Sequence, residues 1–258
     1  MRLSLLLLLL FAFNFLHAQE PSLYFEKIAV QDGLSHNKVN CIIQDKRGFI
    51  WLGTDDGLNR YDGKNFVHFK KRYNDSTGIS GNIITDLLED AEGTLWIATA
   101  DGGLSKYDYQ LPAQQQFTQF KHIPTDPFSI PVNTVNTLVE DNRGFLWLGT
   151  SGHSVLRLNK KTGRFDNIAK SNRTVLDMCV DKNGLIWVGR QGGGIMKINP
   201  SNLSYVEDER YHDLYAKLPH AAVTALFNDK DSHIWFGSWD KVLYKQNGLQ
   251  EEKKCFNL

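Results

Sequence analysis

Cysteine is scarce: Cys41, Cys179 and Cys255 are the only three in 258 residues. An odd, widely spaced set cannot build the disulfide framework that holds many small secreted domains together. Cys41 and Cys179 fall in apolar strand-like stretches and read as small buried hydrophobes. Charge of one sign is missing too, because Lys+Arg and Asp+Glu are both 29 and the formal net charge is zero. Nothing in that balance draws the chain to nucleic acid or to an anionic membrane surface. After residue 20 no apolar run approaches the roughly 18 residues of a spanning helix. No membrane insertion is expected once the leader is removed. Nor is there a G-x-S-x-G, H-E-x-x-H, C-x-x-C or P-loop motif. Gly192-Gly-Gly194 lies between strand-like segments rather than before a helix, and Asp55-Asp56-Gly57 lacks the further acids of a Ca²⁺ loop. The sequence therefore predicts no catalytic residue, no metal and no cofactor.

The first residues form a targeting segment. Arg2 supplies the positive start, Leu3 to Leu16 is apolar apart from Ser4 and Asn14, and Leu16-His17-Ala18 offers a small residue at the cut. This pattern predicts a cleaved signal peptide over 1–18, with Gln19 as the new N-terminus and a periplasmic destination.

What the chain has in abundance is a repeat. Phe49-Ile-Trp-Leu-Gly-Thr54 returns as Thr94-Leu-Trp-Ile-Ala-Thr99, Phe145-Leu-Trp-Leu-Gly-Thr150, Leu185-Ile-Trp-Val-Gly-Arg190 and His233-Ile-Trp-Phe-Gly-Ser238. Trp51, Trp96, Trp147, Trp187 and Trp235 thus hold one equivalent position, 45, 51, 40 and 48 residues apart. Upstream of each lies a strand ending in Asp45, Asp90, Asp141, Asp181 or Asp229, then a turn closing on Gly48, Gly93, Gly144 or Gly184, with Ser232 in the fifth copy. Asp bonds its own turn backbone, and Gly supplies the φ > 0 position of a short hairpin. Downstream, a third strand carries Arg60, Lys106, Arg157, Lys197 and Lys245 at one position. These cations read as partly exposed residues paired with neighbouring acids, or as the lining of a face for an anionic ligand. A short fourth strand follows, with Lys254 to Phe256 as the candidate in copy five.

Four strands every 40 to 50 residues is the blade period of an all-β β-propeller. Residues 19–258 divide into blades at about 36–70, 82–121, 132–169, 173–208 and 221–257. Five blades are recognisable. The Trp strands are apolar on both faces, as strands packed between neighbouring blades must be. The five Trp are expected to be core, and the Gly or Ala two residues later to make room for a bulky side chain of the next blade. Tyr24 to Ile28 reads as a lone strand that could complete the last blade.

The first repeat, Asp32-Gly-Leu-Ser-His-Asn37 through Gly48-Phe-Ile-Trp-Leu-Gly-Thr54 to Asp56-Gly-Leu-Asn-Arg-Tyr-Asp-Gly63, resembles the two-component regulator propeller family, and the other four resemble its later repeats. The resemblance implies a periplasmic sensor of a hybrid histidine kinase, responsive to oligosaccharides and associated with further propeller or sensor domains. Such sensors carry two seven-bladed propellers, an immunoglobulin-like domain, a membrane helix and a kinase, which implies that the five blades here are an incomplete ring or the N-terminal part of a seven-bladed one. This sequence contains none of these, so the expectation is a truncated, non-catalytic sensor part.

A ligand would meet the face where interblade loops and strand two–three loops converge. There the sequence offers Tyr73, Asp101, His153, Arg190, Trp239 and Asp240 as candidate ligand-binding residues, with Trp239 the single Trp outside the repeat position. Two other functions compete: a propeller-fold glycan-active enzyme using paired loop carboxylates, and a protein-interaction scaffold.

Overall fold

The computed structural model describes residues 24–152, 155–169, 172–205, 222–239, 243–247 and 250–252. The leader at 1–18 lies outside them. Twenty strands form five separate four-stranded antiparallel sheets, each in sequence order. Blade 1 is β1 (Val39–Gln44), β2 (Ile50–Thr54), β3 (Gly57–Tyr61) and β4 (Phe66–Phe69). Blade 2 is β5 (Ile84–Glu89), β6 (Leu95–Thr99), β7 (Gly103–Tyr107) and β8 (Phe117–Phe120). Blade 3 is β9 (Val135–Glu140), β10 (Leu146–Thr150), β11 (Val155–Asn159) and β12 (Arg164–Ala169). Blade 4 is β13 (Val175–Val180), β14 (Ile186–Arg190), β15 (Gly194–Asn199) and β16 (Ser204–Tyr205). Blade 5 is β17 (Val223–Asn228), β18 (Ile234–Ser238), β19 (Leu243–Asn247) and β20 (Gln250–Glu252). The first strands β1, β5, β9, β13 and β17 pack consecutively around a common axis. This is the β-propeller that the repeat period predicts.

Two expectations need correction. The fourth strand of blade 5 is Gln250–Glu252, paired with Lys245–Asn247, and not Lys254 to Phe256, which lies outside the described residues. Residues Tyr24 to Ile28 form no strand, and Tyr24 and Phe25 are exposed. With β20 in place, blade 5 already has its four strands.

The predicted core is present. Trp51, Trp96, Trp147 and Trp187 are buried, while Trp235 in the last blade is half-buried. The small residue after each Trp does make room for the next blade. A Cβ built on Gly53 would come within 2.5 Å of Ile84 Cγ2, one on Gly149 within 2.5 Å of Val175 Cγ1, and one on Gly189 within 2.9 Å of Val223 Cγ1. In blade 2 the equivalent Ala98 joins the same core cluster as Val135. Hydrogen bonds knit the same seams. Asn40 Nδ2 donates to Ile84 O at 2.8 Å, Thr85 Oγ1 to Val135 O at 2.6 Å, and Asn136 Nδ2 to Val175 O at 2.7 Å.

The turn aspartates do more than cap turns. One oxygen of each accepts two backbone N–H groups within its turn, and the other accepts the indole N–H of the repeat Trp six residues on, at 2.8 to 2.9 Å in all five blades. The fifth turn keeps this geometry without Gly, because Ser232 itself takes the left-handed conformation, φ 65.

The basic column sits directly across from the Trp column, with Trp51 opposite Arg60, Trp187 opposite Lys197 and Trp235 opposite Lys245. Lys197 Nζ lies 3.8 Å from the Trp187 ring centroid, and the guanidiniums of Arg60 and Arg157 lie 4.7 and 4.6 Å over Phe49 and Phe145. Arg157 also pairs with Asp166 at 2.7 Å. Aromatic faces are thus the more regular partner of these cations. Of the cysteines, Cys179 is buried and Cys41 half-buried. Burial holds both thiols well above the usual range, that of Cys179 up to about 12, so both are poor nucleophiles.

Candidate functional site

Four of the six predicted ligand residues are among the described residues. Tyr73, in the connection between blades 1 and 2, is 94% exposed. Asp101, in the β6–β7 turn, accepts the backbone N–H groups of Asn82 and Ile83 at 3.4 Å and so tethers the chain leading into blade 2. Arg190, ending β14, donates from Nη2 to Gly193 O at 2.5 Å across its own turn. Trp239 is exposed, with its backbone N–H on Ala222 O. His153 and Asp240 lie outside the described residues. None of the four described residues lines either of two clefts that the structure forms.

The first cleft, about 530 Å³, opens at the perimeter between blades 1 and 2. Two departures from the regular repeat build it. The β7–β8 connection spans 108–116, where the equivalent links in blades 1, 3 and 4 span 62–65, 160–163 and 200–203. Its Pro112 starts a short 3-10 turn, Ala113–Gln115. From the other side comes the long connection after β4, pinned by Gln119 Nε2, which donates to Gly78 O at 2.8 Å and Asp75 O at 3.2 Å. The floor is aromatic, with the rings of Phe69 and Phe117 5.5 Å apart and tilted by 59°. The rim is polar: His68, Lys70, Arg72, Asp75 and Gln116.

Most of the rim is engaged. His68 Nε2 is 2.7 Å from Gly33 O, and Lys70 pairs with Asp56 at 2.5 Å. Asp75 accepts the Thr77 hydroxyl and backbone N–H at 2.6 and 2.7 Å. Those bonds, with Arg72 nearby, hold its carboxyl below the usual carboxylate range. The Arg72 guanidinium and the Gln116 amide make no hydrogen bond among the described residues. Asp75 is the single acid in the lining, so the paired carboxylates of a glycosidase are missing from this cleft. The insertion in blade 2 was readable as extra length. Its meeting with the neighbouring loop was not, because that depends on the placement of two blades.

The second cleft, about 450 Å³, lies among the turns of blades 2 and 3. Its centre is Lys160, which bridges Asp90 at 2.8 Å and Glu140 at 2.7 Å. Burial acts against the charged forms of Lys160 and Asp90. The mutual bonds outweigh it, holding Lys160 above and Asp90 below their ordinary ranges. Asp90 also takes the Trp96 indole. These charges satisfy one another and bind blade to blade.

Asp229, Asp231 and His233 have ligand atoms within 4.8 Å of one another. Asp229 is the turn aspartate, already holding Trp235 and His233 Nδ1.

Comparison with known proteins agrees with this architecture. The family model described as two component regulator propeller matches residues 33–56, 78–101, 129–152 and 217–240. The extracellular domain of the hybrid two component system BT3049 from B. thetaiotaomicron superposes with a TM-score of 0.74 at 26% identity, over 89% of this chain and 31% of that one. The extracellular domain of BT4673 from the same organism gives 0.73 at 23% identity, over 91% and 33%. A virginiamycin B lyase from Staphylococcus aureus shares the fold alone, at 10% identity and a TM-score of 0.64, over 86% of this chain and 71% of that one. Over 62 residues, 24% of this chain, the sequence is 44% identical to Histidine kinase P4 of Formosa agariphila. The chain spans about a third of the two extracellular domains and 4% of that kinase. Among the described residues no helix is long and apolar enough to cross a membrane. Four of its five repeats thus match the two-component regulator propeller model, and its blades superpose on those of extracellular domains of two component systems.

Proposed function

We propose that the chain is the non-catalytic sensing propeller of an extracellular two-component sensor, and that it takes an oligosaccharide in the cleft between blades 1 and 2. The observation that carries this reading is the convergence of two non-repeat connections on one aromatic-floored, polar-rimmed cleft. Sugars present apolar ring faces and a hydroxyl periphery, and that combination of floor and rim suits them. Arg72 and Gln116 supply unengaged donors. Likeness to extracellular domains of two component systems supports the sensing role and a periplasmic location after removal of the leader. Partners would be the further sensor domains of the same system.

Titration calorimetry of the mature chain against a panel of oligosaccharides tests the reading. Binding of one class, weakened about tenfold or more by Arg72→Ala, is the expected result. Binding unchanged in Arg72→Ala and Gln116→Ala would move the site elsewhere on the propeller. Turnover of a bound glycan would replace the sensor reading with the enzyme one.

A further inference from the structure

The first turns of blades 1, 2 and 3 differ at two positions between the turn aspartate and the repeat Trp. Blade 1 has Arg47 and Phe49 there, blade 3 has Arg143 and Phe145, and blade 2 has Glu92 and Thr94. In blade 1 the pair reaches the next blade: the Arg47 guanidinium lies 4.3 Å over the ring of Tyr109 and 5.2 Å over Phe49. In blade 3 Arg143 Nη1 donates to Pro200 O of blade 4 at 3.1 Å, and its guanidinium lies 5.5 Å over Phe145. Tyr109, Pro200 and Lys160 hold one equivalent position, directly after Asp108, Asn199 and Asn159 of the third-strand repeat. The joint between blades 2 and 3 therefore has Thr94 and Lys160 where its neighbours have a phenyl ring with Tyr109 or Pro200. Both residues line the opening that results, the cleft of about 450 Å³.

The third strand repeats the difference. Arg60 and Arg157 stand 4.7 and 4.6 Å over Phe49 and Phe145. Lys197 and Lys245 stand 3.8 and 5.1 Å over Trp187 and Trp235. Lys106, opposite Trp96 in the register, is half-buried and lines the cleft. It makes no ring contact, hydrogen bond or ion pair among the described residues. Nor do the charges of the lining cancel: four cations, Lys106, Arg143, Lys160 and Lys161, stand against two acids, Asp90 and Glu92. Lys160 is engaged by Asp90 and Glu140, which leaves Lys106 and exposed Lys161 against exposed Glu92.

We propose that the cleft between blades 2 and 3 is a second binding site, and that it takes a small aromatic carboxylate. The ring occupies the space that Phe49 and Phe145 fill in blades 1 and 3, and the carboxylate meets Lys106. A gap the size of a phenyl group beside Trp96 and Phe145 suits a planar apolar ring. An ammonium held partly out of water without a partner gains most from an anion. One such cation matches one carboxylate, and Glu92 disfavours a doubly charged ligand. The site shares no lining residue with the cleft between blades 1 and 2.

Titration calorimetry of the mature chain with benzoate, acetate and benzyl alcohol tests this. Benzoate should bind saturably, with acetate and benzyl alcohol each weaker by about tenfold or more. Thr94→Phe supplies the ring from the chain itself; it should abolish benzoate binding with an unchanged circular dichroism spectrum and no fall in melting temperature. Lys106→Met should weaken benzoate by about tenfold and leave benzyl alcohol unchanged. Arg72→Ala, in the other cleft, should leave benzoate binding as it is, so the two sites stand or fall separately. Absence of saturable benzoate binding, or binding that persists in Thr94→Phe, overturns the proposal. Acetate bound as tightly as benzoate overturns it as well, because the ring then contributes nothing. Loss of benzoate in Arg72→Ala would place the ligand between blades 1 and 2 instead. Should Thr94→Phe fold poorly, benzoate affinity unchanged in Lys106→Met still overturns it.

Discussion

Nε1 of Trp147 donates a 2.8 Å hydrogen bond to Oδ2 of Asp141, six residues earlier in the chain. The same carboxylate holds the N–H groups of Arg143 and Phe145 with its other oxygen. One side chain thereby closes the turn and fixes the ring that fills the seam to the next blade. The arrangement recurs at Asp45, Asp90, Asp181 and Asp229.

Asp141→Ala leaves a fully buried indole N–H and two turn N–H groups without their acceptor. Unmet buried donors cost about 1–3 kcal/mol each, and partial rescue by water at the turn brings the expected loss to about 2–4 kcal/mol. Urea denaturation measures it. Asp229→Ala should cost less, because Trp235 is half-buried and can reach water.

Gly149→Val forces a Cβ to within 2.5 Å of Val175 Cγ1 and 2.7 Å of Thr137 Cγ2. Overpacking of this kind costs about 1–3 kcal/mol or more. The same change at Gly237 meets nothing closer than 3.9 Å and should leave the melting temperature within a degree or two. Equal losses at both sites would contradict the seam geometry.

Lys160→Met removes the cation between Asp90 and Glu140 and leaves two carboxylates facing each other. Breaking a buried ion pair from one side costs about 3–5 kcal/mol. Partial solvent access at Glu140 lowers the expectation to about 2–4 kcal/mol. Adding Glu140→Gln should recover part of the loss.

Asp86 carries the pH signal. Its carboxylate accepts Leu138 N–H across the seam and Leu87 N–H beside it, and Thr137 and Asp177 face it. Burial, chiefly, with a smaller contribution from Asp177, pushes its carboxyl up to about 6 from 3.8. A carboxyl raised on folding binds its proton more tightly in the native state, so its contribution to stability grows as pH falls from 6 toward 3.8. Asp90 is shifted the other way, and its stabilisation is lost only as pH falls below 3.8. Melting temperature should therefore rise between pH 7 and the 4–6 window, then drop. Asp177 is raised by burial as well and adds to the rise, so Asp86→Asn should shrink it rather than remove it; an identical profile in that variant would assign the effect to another group.

Ser232 occupies a left-handed conformation that Gly holds in the other four turns. That conformation costs a non-glycine residue about 1–2 kcal/mol. Ser232→Gly should stabilise blade 5 by about 1 kcal/mol, read as slower hydrogen exchange in β17 and β18.

The Trp spacing, the Asp–Gly turns and the alternation of strands were enough to predict all five blades, their antiparallel order and the room left beside each Trp. These are local signals, set by hairpin chemistry and by which strands are apolar on both faces. Prediction failed where the chain departs from its repeat. The fourth strand of blade 5 has no marked pattern to fix its position, and Tyr24 to Ile28 has strand-like composition but no neighbour to pair with. The sequence marks the turn aspartates as turn formers alone, since their indole bond requires the register across two strands.

The chain's own residues specify the blade, because a β-hairpin's register and turn type depend on residues a few positions apart. How blades meet is a matter of surfaces brought together from about 40 to 50 residues apart, and the cleft between blades 1 and 2 exists only once two unrelated connections share that space. Val39 and Val223 are alike in sequence, and only the presence or absence of a neighbouring sheet makes one exposed and the other buried.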